Sequence, residues 1–285
     1  KRNKNLAKKA TIMKHSEFNF TIYDTKFYGQ YWEAANTKAV VVLAHGMGEH
    51  SGRFAEVAKK LTDNDFSVIA FDHFGHGKTE GKRGHNPSFD AVLESIQKTI
   101  EKAANLFPEK PIFLYGHSMG GNVVINFVLR KNHQLKGVIA TSPFLKLAFK
   151  PPKIKLFAGK ILQHIAPSIT MGNELNPNDI SRDPIAIKNY KNDPLVHNQI
   201  SPNFSITFIE SGKWAIENAS KLSIPMWIAH GTEDKIIDYK GSKAFVENSK
   251  KATLKLYKGG YHELQHDLCK DELGQDVIDW LNSQL

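Results

Sequence analysis

The residues best suited to covalent chemistry form a Gly-x-Ser-x-Gly motif at positions 116–120, with Ser118 at its centre. An apolar run at residues 111–115 precedes the motif, and a helix-like segment at residues 122–130 follows it. On a strand–turn–helix unit, this motif holds a serine hydroxyl at the N-terminus of a helix, where it can act as a nucleophile. The alternative is a glycine-rich turn with an incidental serine, but partner residues farther along the chain favour a catalytic Ser118.

A serine nucleophile needs a general base, and the chain offers 13 histidines. His262 follows a predicted strand at residues 253–257 and a Gly-Gly turn, which places it at the carboxyl edge of a parallel sheet. Ser118 should lie at the same edge. His266, one helical turn later, is expected to be a surface residue, so we predict His262 as the base.

The acid that orients this histidine should follow another strand at the same edge. A predicted strand at residues 225–229 is followed by three candidates, Glu233, Asp234 and Asp238. The chain order serine, aspartate, histidine is that of the α/β-hydrolase arrangement, which favours Asp234. The other two carboxylates would then lie at the surface.

An oxyanion that forms during acyl transfer needs preorganised N–H donors. One should be the backbone N–H of Met119, the residue after the nucleophile. The second should be the N–H of Met47, in the loop His45-Gly-Met-Gly48 that follows a predicted strand at residues 39–44. The alternative for this loop is an ordinary glycine turn.

Repeated strand and helix patterns indicate the scaffold that positions these groups. They predict an α/β fold with a mostly parallel sheet and helices on both faces. A hairpin at residues 18–34, with its turn at residues 24–26, should add antiparallel strands. The alternation of strand and helix patterns breaks between residue 143 and about residue 207. The next predicted strand is at residues 205–209. The predicted sheet strands are at residues 39–44, 66–71, 111–115, 137–141, 225–229 and 253–257.

The chain length bounds the domain organisation. A chain of 285 residues can form one large core, so residues 1–285 are predicted as a single domain. Residues 144–205, which we call the cap segment, are too short and too rich in proline to form a core of their own. They are predicted to be an insertion after a sheet strand.

Composition narrows the cellular context. The single cysteine, Cys269, cannot form an internal disulfide, which fits a reducing, cytoplasmic compartment. No signal peptide is visible, and no apolar stretch approaches the roughly 18 residues of a spanning helix.

The net charge of +9 comes from two segments. Residues 1–14 carry six basic and no acidic residues, and residues 144–170 carry five lysines and no acid. The remainder has 27 basic against 29 acidic residues, so no nucleic-acid partner is expected.

A loop at residues 72–85 contains His73, His76 and His85 and invites a metal-site interpretation. The histidines lack metal-ligand spacing, and a structural loop is favoured. No phosphate-binding or dinucleotide motif is present, so neither a metal nor an organic cofactor is expected.

Several motifs together resemble one known family. They stand in order as His45-Gly-Met-Gly-Glu-His-Ser-Gly-Arg53, Phe71-Asp-His-Phe-Gly-His-Gly77, Gly116-His-Ser-Met-Gly-Gly121, His230-Gly-Thr-Glu-Asp234 and Tyr261-His-Glu-Leu264. From about residue 16 to its end, the chain closely resembles monoacylglycerol lipases of the α/β-hydrolase superfamily. The resemblance implies an α/β-hydrolase fold and a carboxylic ester hydrolase that releases fatty acid and glycerol from monoacylglycerols without a cofactor.

The resemblance also implies roles for particular residues. Ser118, Asp234 and His262 would form the triad, and the Met47 and Met119 N–H groups would form the oxyanion hole. The cap segment would cover an apolar acyl tunnel. Glu49 and Arg53 would bind substrate near the glycerol end, where Gln265 replaces a family histidine.

The cap segment contains a predicted amphipathic helix. Its apolar stripe is Ile154, Phe157, Ala158, Ile161, Leu162 and Ile165, and it is flanked by Lys153, Lys155 and Lys160. A basic amphipathic helix of this kind predicts transient contact with a membrane surface. The alternative is a helix packed on its own core.

Two other functions are compatible with this sequence. A broader carboxylesterase or lysophospholipase would use the same residues. A non-catalytic lipid-binding protein with the hydrolase fold would be favoured by loss of a triad residue, but all three are present.

Overall fold

A sheet of eight strands runs through the protein, which a computed structural model describes over residues 14–285. The basic residues 1–13 lie outside this range. The ten strands are β1 (Lys14–Ile22), β2 (Thr25–Glu33), β3 (Ala39–Ala44), β4 (Phe66–Phe71), β5 (Ile112–His117), β6 (Gly137–Thr141), β7 (Met171–Gly172), β8 (Gln199–Ile200), β9 (Met226–Gly231) and β10 (Ala252–Tyr257).

The main sheet has the order β1-β2-β4-β3-β5-β6-β9-β10. β1, β2 and β4 are antiparallel neighbours, and the remaining pairs are parallel. β7 and β8 pair separately with each other. Every residue of β3 is buried, as expected for a parallel strand with both faces covered.

Eight α-helices accompany the strands in the part of the chain that the structure describes. They are α1 (Ala55–Thr62), α2 (Phe89–Leu106), α3 (Met119–Arg130), α4 (Lys153–Ile165), α5 (Pro184–Asn192), α6 (Pro202–Glu217), α7 (Tyr239–Glu247) and α8 (Lys270–Ser283). On one sheet face, Val42 belongs to the same core as Leu93 of α2 and Val124 of α3. On the other face, Val41 shares a core with Leu61 of α1. The predicted parallel sheet with helices on both faces is confirmed.

The hairpin turn is tighter than predicted. Thr25 pairs with Ile22, so only Tyr23 and Asp24 form the turn, and both have positive φ, 45° and 62°. Two-residue turns with positive φ match the right-handed twist of the flanking strands. The predicted turn at residues 24–26 was therefore wrong: it started one position too late and ended two positions too late.

The strand predicted at residues 205–209 was wrong, because this segment lies inside α6. Ser201 caps the helix by accepting a hydrogen bond from the Phe204 N–H, and Pro202 occupies its first turn. Both are helix-start signals. Phe204, Phe208 and Ala215 are buried on one side of the helix, so helical periodicity outweighed the β-propensity of this stretch.

The cap segment lies between β6 and β9 and contains α4, α5, β7 and β8, but its predicted end at residue 205 falls within α6. The division into one domain with an insertion remains a prediction. Within residues 14–285, no helix combines the length and hydrophobicity needed to cross a bilayer.

Candidate active site

Ser118 stands at the junction between β5 and α3, with the backbone angles φ 53° and ψ −114°. A positive φ is strained for a residue with a Cβ atom, and such strain is typical of the turn that carries a hydrolase nucleophile. Backbone hydrogen bonds hold the turn: the Ser118 N–H donates to the Thr141 carbonyl, and the Ser118 carbonyl accepts from the Asn122 and Phe144 N–H groups. The serine is thus fixed at the carboxyl end of the central strands.

The turn also requires two glycines. A Cβ atom on Gly116 would lie 2.3 Å from the Gly120 carbonyl oxygen, and one on Gly120 would lie 2.1 Å from the Ala44 oxygen. Neither clash could be relieved without moving backbone. Glycine therefore lets α3 begin directly against the ends of β3 and β5.

His262 follows β10 and meets Ser118 at that edge. Its Nε2 atom lies 2.9 Å from the Ser118 Oγ atom, and its Nδ1 atom lies 2.7 Å from Oδ2 of Asp234. Residues separated by 144 and 28 positions in the chain are thereby brought into one line of hydrogen bonds. This geometry allows the imidazole to take a proton from Oγ while the carboxylate fixes its tautomer.

Of the three candidate carboxylates, Asp234 is the one that contacts His262. Its Oδ1 atom accepts hydrogen bonds from the Ile236 and Ile237 N–H groups, 2.9 Å each. Glu233 is exposed, and Asp238 instead caps α7.

Electrostatics favour a charged pair here. Burial alone would raise the pKa of Asp234, but the two histidines beside it lower the pKa well below its usual range. Burial alone would lower the pKa of His262, but the Asp234 carboxylate raises it above the ordinary value. The pair therefore stabilises the imidazolium that would form when His262 accepts a proton.

Met119 directly follows Ser118, and Met47 lies in the loop after β3. Met119 is the first residue of α3, so its N–H has no carbonyl partner one turn earlier within the helix. Met47 lines the cavity beside Ser118. A Cβ atom on the preceding residue, Gly46, would lie 3.3 Å from the Ser118 Cβ, which shows how closely this loop approaches the serine.

Glu49 and Arg53 belong to a buried ionic cluster that also includes Glu263. The Arg53 Nη1 atom lies 2.6 Å from Glu49 and 2.8 Å from Glu263, while Nη2 lies 2.7 Å from Glu263. The guanidinium is 4.8 Å from the ring centroid of Tyr190. Both carboxylates line the cavity, but Arg53 does not. Sequence reasoning missed Glu263, although its position directly after His262 offered a signal.

The two carboxylates of this cluster differ in their acidity. Burial raises the pKa of Glu49, whose neighbour Glu263 adds to the effect. At Glu263 the Arg53 charge outweighs burial and lowers the pKa. One guanidinium thus binds two carboxylates, with two hydrogen bonds to Glu263 and one to Glu49.

A cavity of about 380 Å³ opens from Ser118 and is lined mainly by apolar side chains. This volume is within the usual range for small-molecule sites. Its apolar lining comes largely from the loop after β6, from α4 and α6, and from the loop after β9. It includes Phe144, Leu147, Leu156, Leu162, Leu175, Ile180, Ile200, Ile206, Ile209, Ile236 and Ile237.

The predicted stripe of α4 is divided between the cavity and the surface. Ala158 and Leu162 line the cavity. Ile154 and Phe157 are 78% and 67% exposed, and Ile161 and Ile165 are exposed as well. The helix therefore has an inner apolar edge and an unpartnered outer one.

Gln265 does not reach the cavity. Its side chain is buried and lines a separate small void with Leu61 and Tyr115. His266, expected at the surface, is instead shielded, and its Nε2 atom is buried. Neither residue contacts Ser118.

The histidine-rich loop is tied to neighbouring groups. His76 Nδ1 lies 2.8 Å from the Phe74 carbonyl oxygen, and the His73 N–H donates to His45 Nε2. Among residues 14–285, no group of three or more histidine, cysteine or acidic side chains has the arrangement of a metal site.

Comparison with known proteins adds an independent line of evidence. The family model described as serine aminopeptidase, S33, matches residues 35–268. A monoacylglycerol lipase of Mycolicibacterium smegmatis is 32% identical over 251 residues, which cover 87% of this chain and 89% of that protein. The crystal structure of a Paleococcus ferrophilus monoacylglycerol lipase matches with a TM-score of 0.83 and 32% identity, covering 96% of this chain and 100% of that one.

A longer relative is also similar. An uncharacterized abhydrolase domain-containing protein of Dictyostelium discoideum is 36% identical over 251 residues. The match covers 87% of this chain but only 26% of that protein.

Proposed function

The chain belongs to the serine aminopeptidase S33 family, and from that premise we propose that it is a serine esterase that hydrolyses monoacylglycerols to a fatty acid and glycerol. One observation carries the proposal: the hydrogen-bonded line Ser118–His262–Asp234 opens into a mainly apolar cavity. Similarity to monoacylglycerol lipases over most of the chain supports the same substrate.

The reaction proceeds through an acyl-enzyme. The Ser118 Oγ attacks the ester carbonyl carbon while His262 Nε2 takes its proton. The Met47 and Met119 N–H groups stabilise the oxyanion of the tetrahedral intermediate. When the intermediate collapses, the C–O bond to glycerol breaks and His262 returns the proton to the departing oxygen.

Water completes the cycle. His262 takes a proton from a water molecule, whose oxygen attacks the acyl carbon. The bond to Ser118 then breaks, and Oγ recovers the proton from His262. A fatty acid leaves, and Asp234 keeps the same histidine tautomer through both halves.

The lining of the cavity supports a substrate with one acyl chain and a small polar alcohol. The apolar side chains suit the acyl chain, and Glu49 offers a polar group near Ser118. An aminopeptidase would need a free carboxylate to hold the substrate ammonium group. Here Glu49 and Glu263 are already paired with Arg53, which favours ester over peptide substrates.

We place the cap segment over this cavity and infer that α4 touches lipid. The exposed Ile154 and Phe157 would enter the interface, since burying such side chains is worth about 1.5–3 kcal/mol each. Lysine attraction to anionic lipid is a smaller contribution, because Lys155 and Lys160 pair with Glu174 and Glu210, each at 3.1 Å. Peripheral membrane association follows from this arrangement.

A hydrolysis panel tests the substrate assignment. Monoolein, diolein, triolein, lysophosphatidylcholine and methyl oleate would be compared at equal detergent concentration, with the Ser118→Ala variant as the blank. We expect monoolein to have the highest kcat/KM, at least tenfold above triolein. Equal values for monoolein and triolein would indicate a true lipase, and a preference for lysophosphatidylcholine would indicate a lysophospholipase.

A further inference from the structure

A continuous series of charge-assisted hydrogen bonds links Glu263 to the loop at residues 45–48, which follows β3. Its two carboxylate oxygens accept from Nη1 and Nη2 of Arg53, at 2.8 and 2.7 Å. Nη1 also donates to Oε2 of Glu49, at 2.6 Å. The bidentate pairing restrains the guanidinium in orientation as well as position.

The series ends at the backbone of this loop, which contains Met47. The remaining oxygen of Glu49, Oε1, accepts the Gly46 N–H at 2.7 Å. Gly46 directly precedes Met47, and its backbone passes close to the Cβ of Ser118. A shift of Glu49 would therefore move the peptide that carries the Met47 N–H.

Burial makes each link costly to break. Glu49 is 2% exposed and Glu263 is 3% exposed. A buried ion pair that loses one partner leaves an uncompensated charge, so the other members must rearrange. The Glu263 N–H also donates to the Ile180 carbonyl oxygen, at 2.7 Å, which anchors this end of the series.

We propose that Glu263 is a positioning residue that fixes the Met47 N–H relative to His262, acting through Arg53 and Glu49. The inference rests on the proposed function, because it assigns Met47 to the oxyanion hole. It differs from a role in binding glycerol: Glu263 lines the cavity, but both of its carboxylate oxygens are bound to Arg53. A positioning role affects every ester that Ser118 attacks, whereas a glycerol contact affects glycerol esters alone.

The test compares Glu263→Gln, Glu49→Gln and the double variant on monoolein and on methyl oleate. We expect Glu263→Gln to lower kcat by about 10- to 100-fold on both esters with little change in KM, as for a small misplacement of a catalytic group. Because Glu263 acts through Glu49, the double variant should be no slower than Glu49→Gln alone. Glu217→Gln, at an exposed ion pair of α6, is the matched control and should behave as wild type.

Two results would overturn the proposal. One is a rise in KM for monoolein with an unchanged kcat on methyl oleate, which would identify a glycerol contact. The other is independent, multiplicative losses in the double variant. Thermal melts verify that the variants fold. If Glu263→Gln does not fold, Glu263→Asp replaces it. This variant keeps the charge but is too short for both hydrogen bonds, so it should show the same kcat defect. Wild type that cleaves methyl oleate but not monoolein would refute the proposed substrate and leave this test intact.

Discussion

His230 Nε2 lies 3.1 Å from Oδ2 of Asp234, the same oxygen that receives the ring N–H of His262. The other ring nitrogen of His230 lies 2.8 Å from the Ser242 hydroxyl. Asp234 thus has a second histidine partner besides the predicted base, and both lie out of solvent. The carboxylate is held from two sides, which restricts the positions that His262 can occupy.

Asp234→Asn should abolish most activity. An amide nitrogen at the Oδ2 position could not accept the His262 N–H, and the imidazole would adopt the wrong tautomer. We expect kcat to fall by about 10³- to 10⁴-fold, as for other serine triads. Steady-state hydrolysis of a short soluble ester measures the loss, and a loss below tenfold would assign the acid to another residue.

The pH dependence of kcat/KM should report His262. The imidazole must be neutral to accept the serine proton, so activity is lost as pH falls through its pKa. Burial would lower that pKa but Asp234 raises it, so the acid limb should lie above the ordinary value of 6.5. Asp234→Asn removes the stabilising charge and should move the acid limb to lower pH. An unshifted limb in the variant would show that Asp234 does not set this pKa.

Gly120→Ala should disrupt the turn that carries Ser118. The new Cβ would lie 2.1 Å from the Ala44 oxygen, so α3 must move away from β3. We expect the free energy of unfolding to fall by about 1–3 kcal/mol, with a large loss of activity.

Gly274→Ala on α8 provides the control, because its Cβ would meet only the flexible end of the Lys60 side chain. Urea denaturation of both variants measures the difference. A Gly120→Ala variant as stable and active as Gly274→Ala would refute the close-approach argument.

The sequence predicted the central strands because a buried parallel strand is apolar throughout its length. β3, β4 and β6 have the predicted bounds. The cap segment was less predictable, since residues 205–209 are rich in residues that suit a strand. Only the Ser201–Pro202 start signal and burial at helical spacing, at Phe204 and Phe208, indicate the helix.

The candidate site, like the fold, was predictable only in part. Motif context was enough to predict that Ser118, Asp234 and His262 lie close together. It could not indicate that Arg53 turns toward Glu263, because residues 210 positions apart meet only in the folded chain. It also could not indicate that Gln265, three residues after His262, packs against α1 and α8.

The outer edge of α4 should govern activity at lipid surfaces. Ile154→Ser together with Phe157→Ser removes two exposed apolar side chains, 78% and 67% accessible. We expect hydrolysis of monoolein in anionic vesicles to fall by about tenfold or more, since about 1.4 kcal/mol of lost binding is a factor of ten. Hydrolysis of a short soluble ester should be unchanged.

Leu268→Ser, at an equally exposed position outside α4, is the control. Charge reversal at Lys153 should add a loss that weakens as salt is raised. Full activity of the double variant on vesicles would mean that the exposed stripe does not dock on lipid. Equal losses on both substrates would mean a damaged cap segment.

The most direct measurement is kcat for monoolein with the purified Ser118→Ala variant, whose folding is verified by its thermal melt. The account predicts a loss of about 10³-fold or more, because no other group can form the acyl-enzyme. Wild type, but not the variant, should also be labelled by a fluorophosphonate. A folded Ser118→Ala variant that hydrolyses monoolein at a near-normal rate would contradict the assignment of Ser118 as the nucleophile.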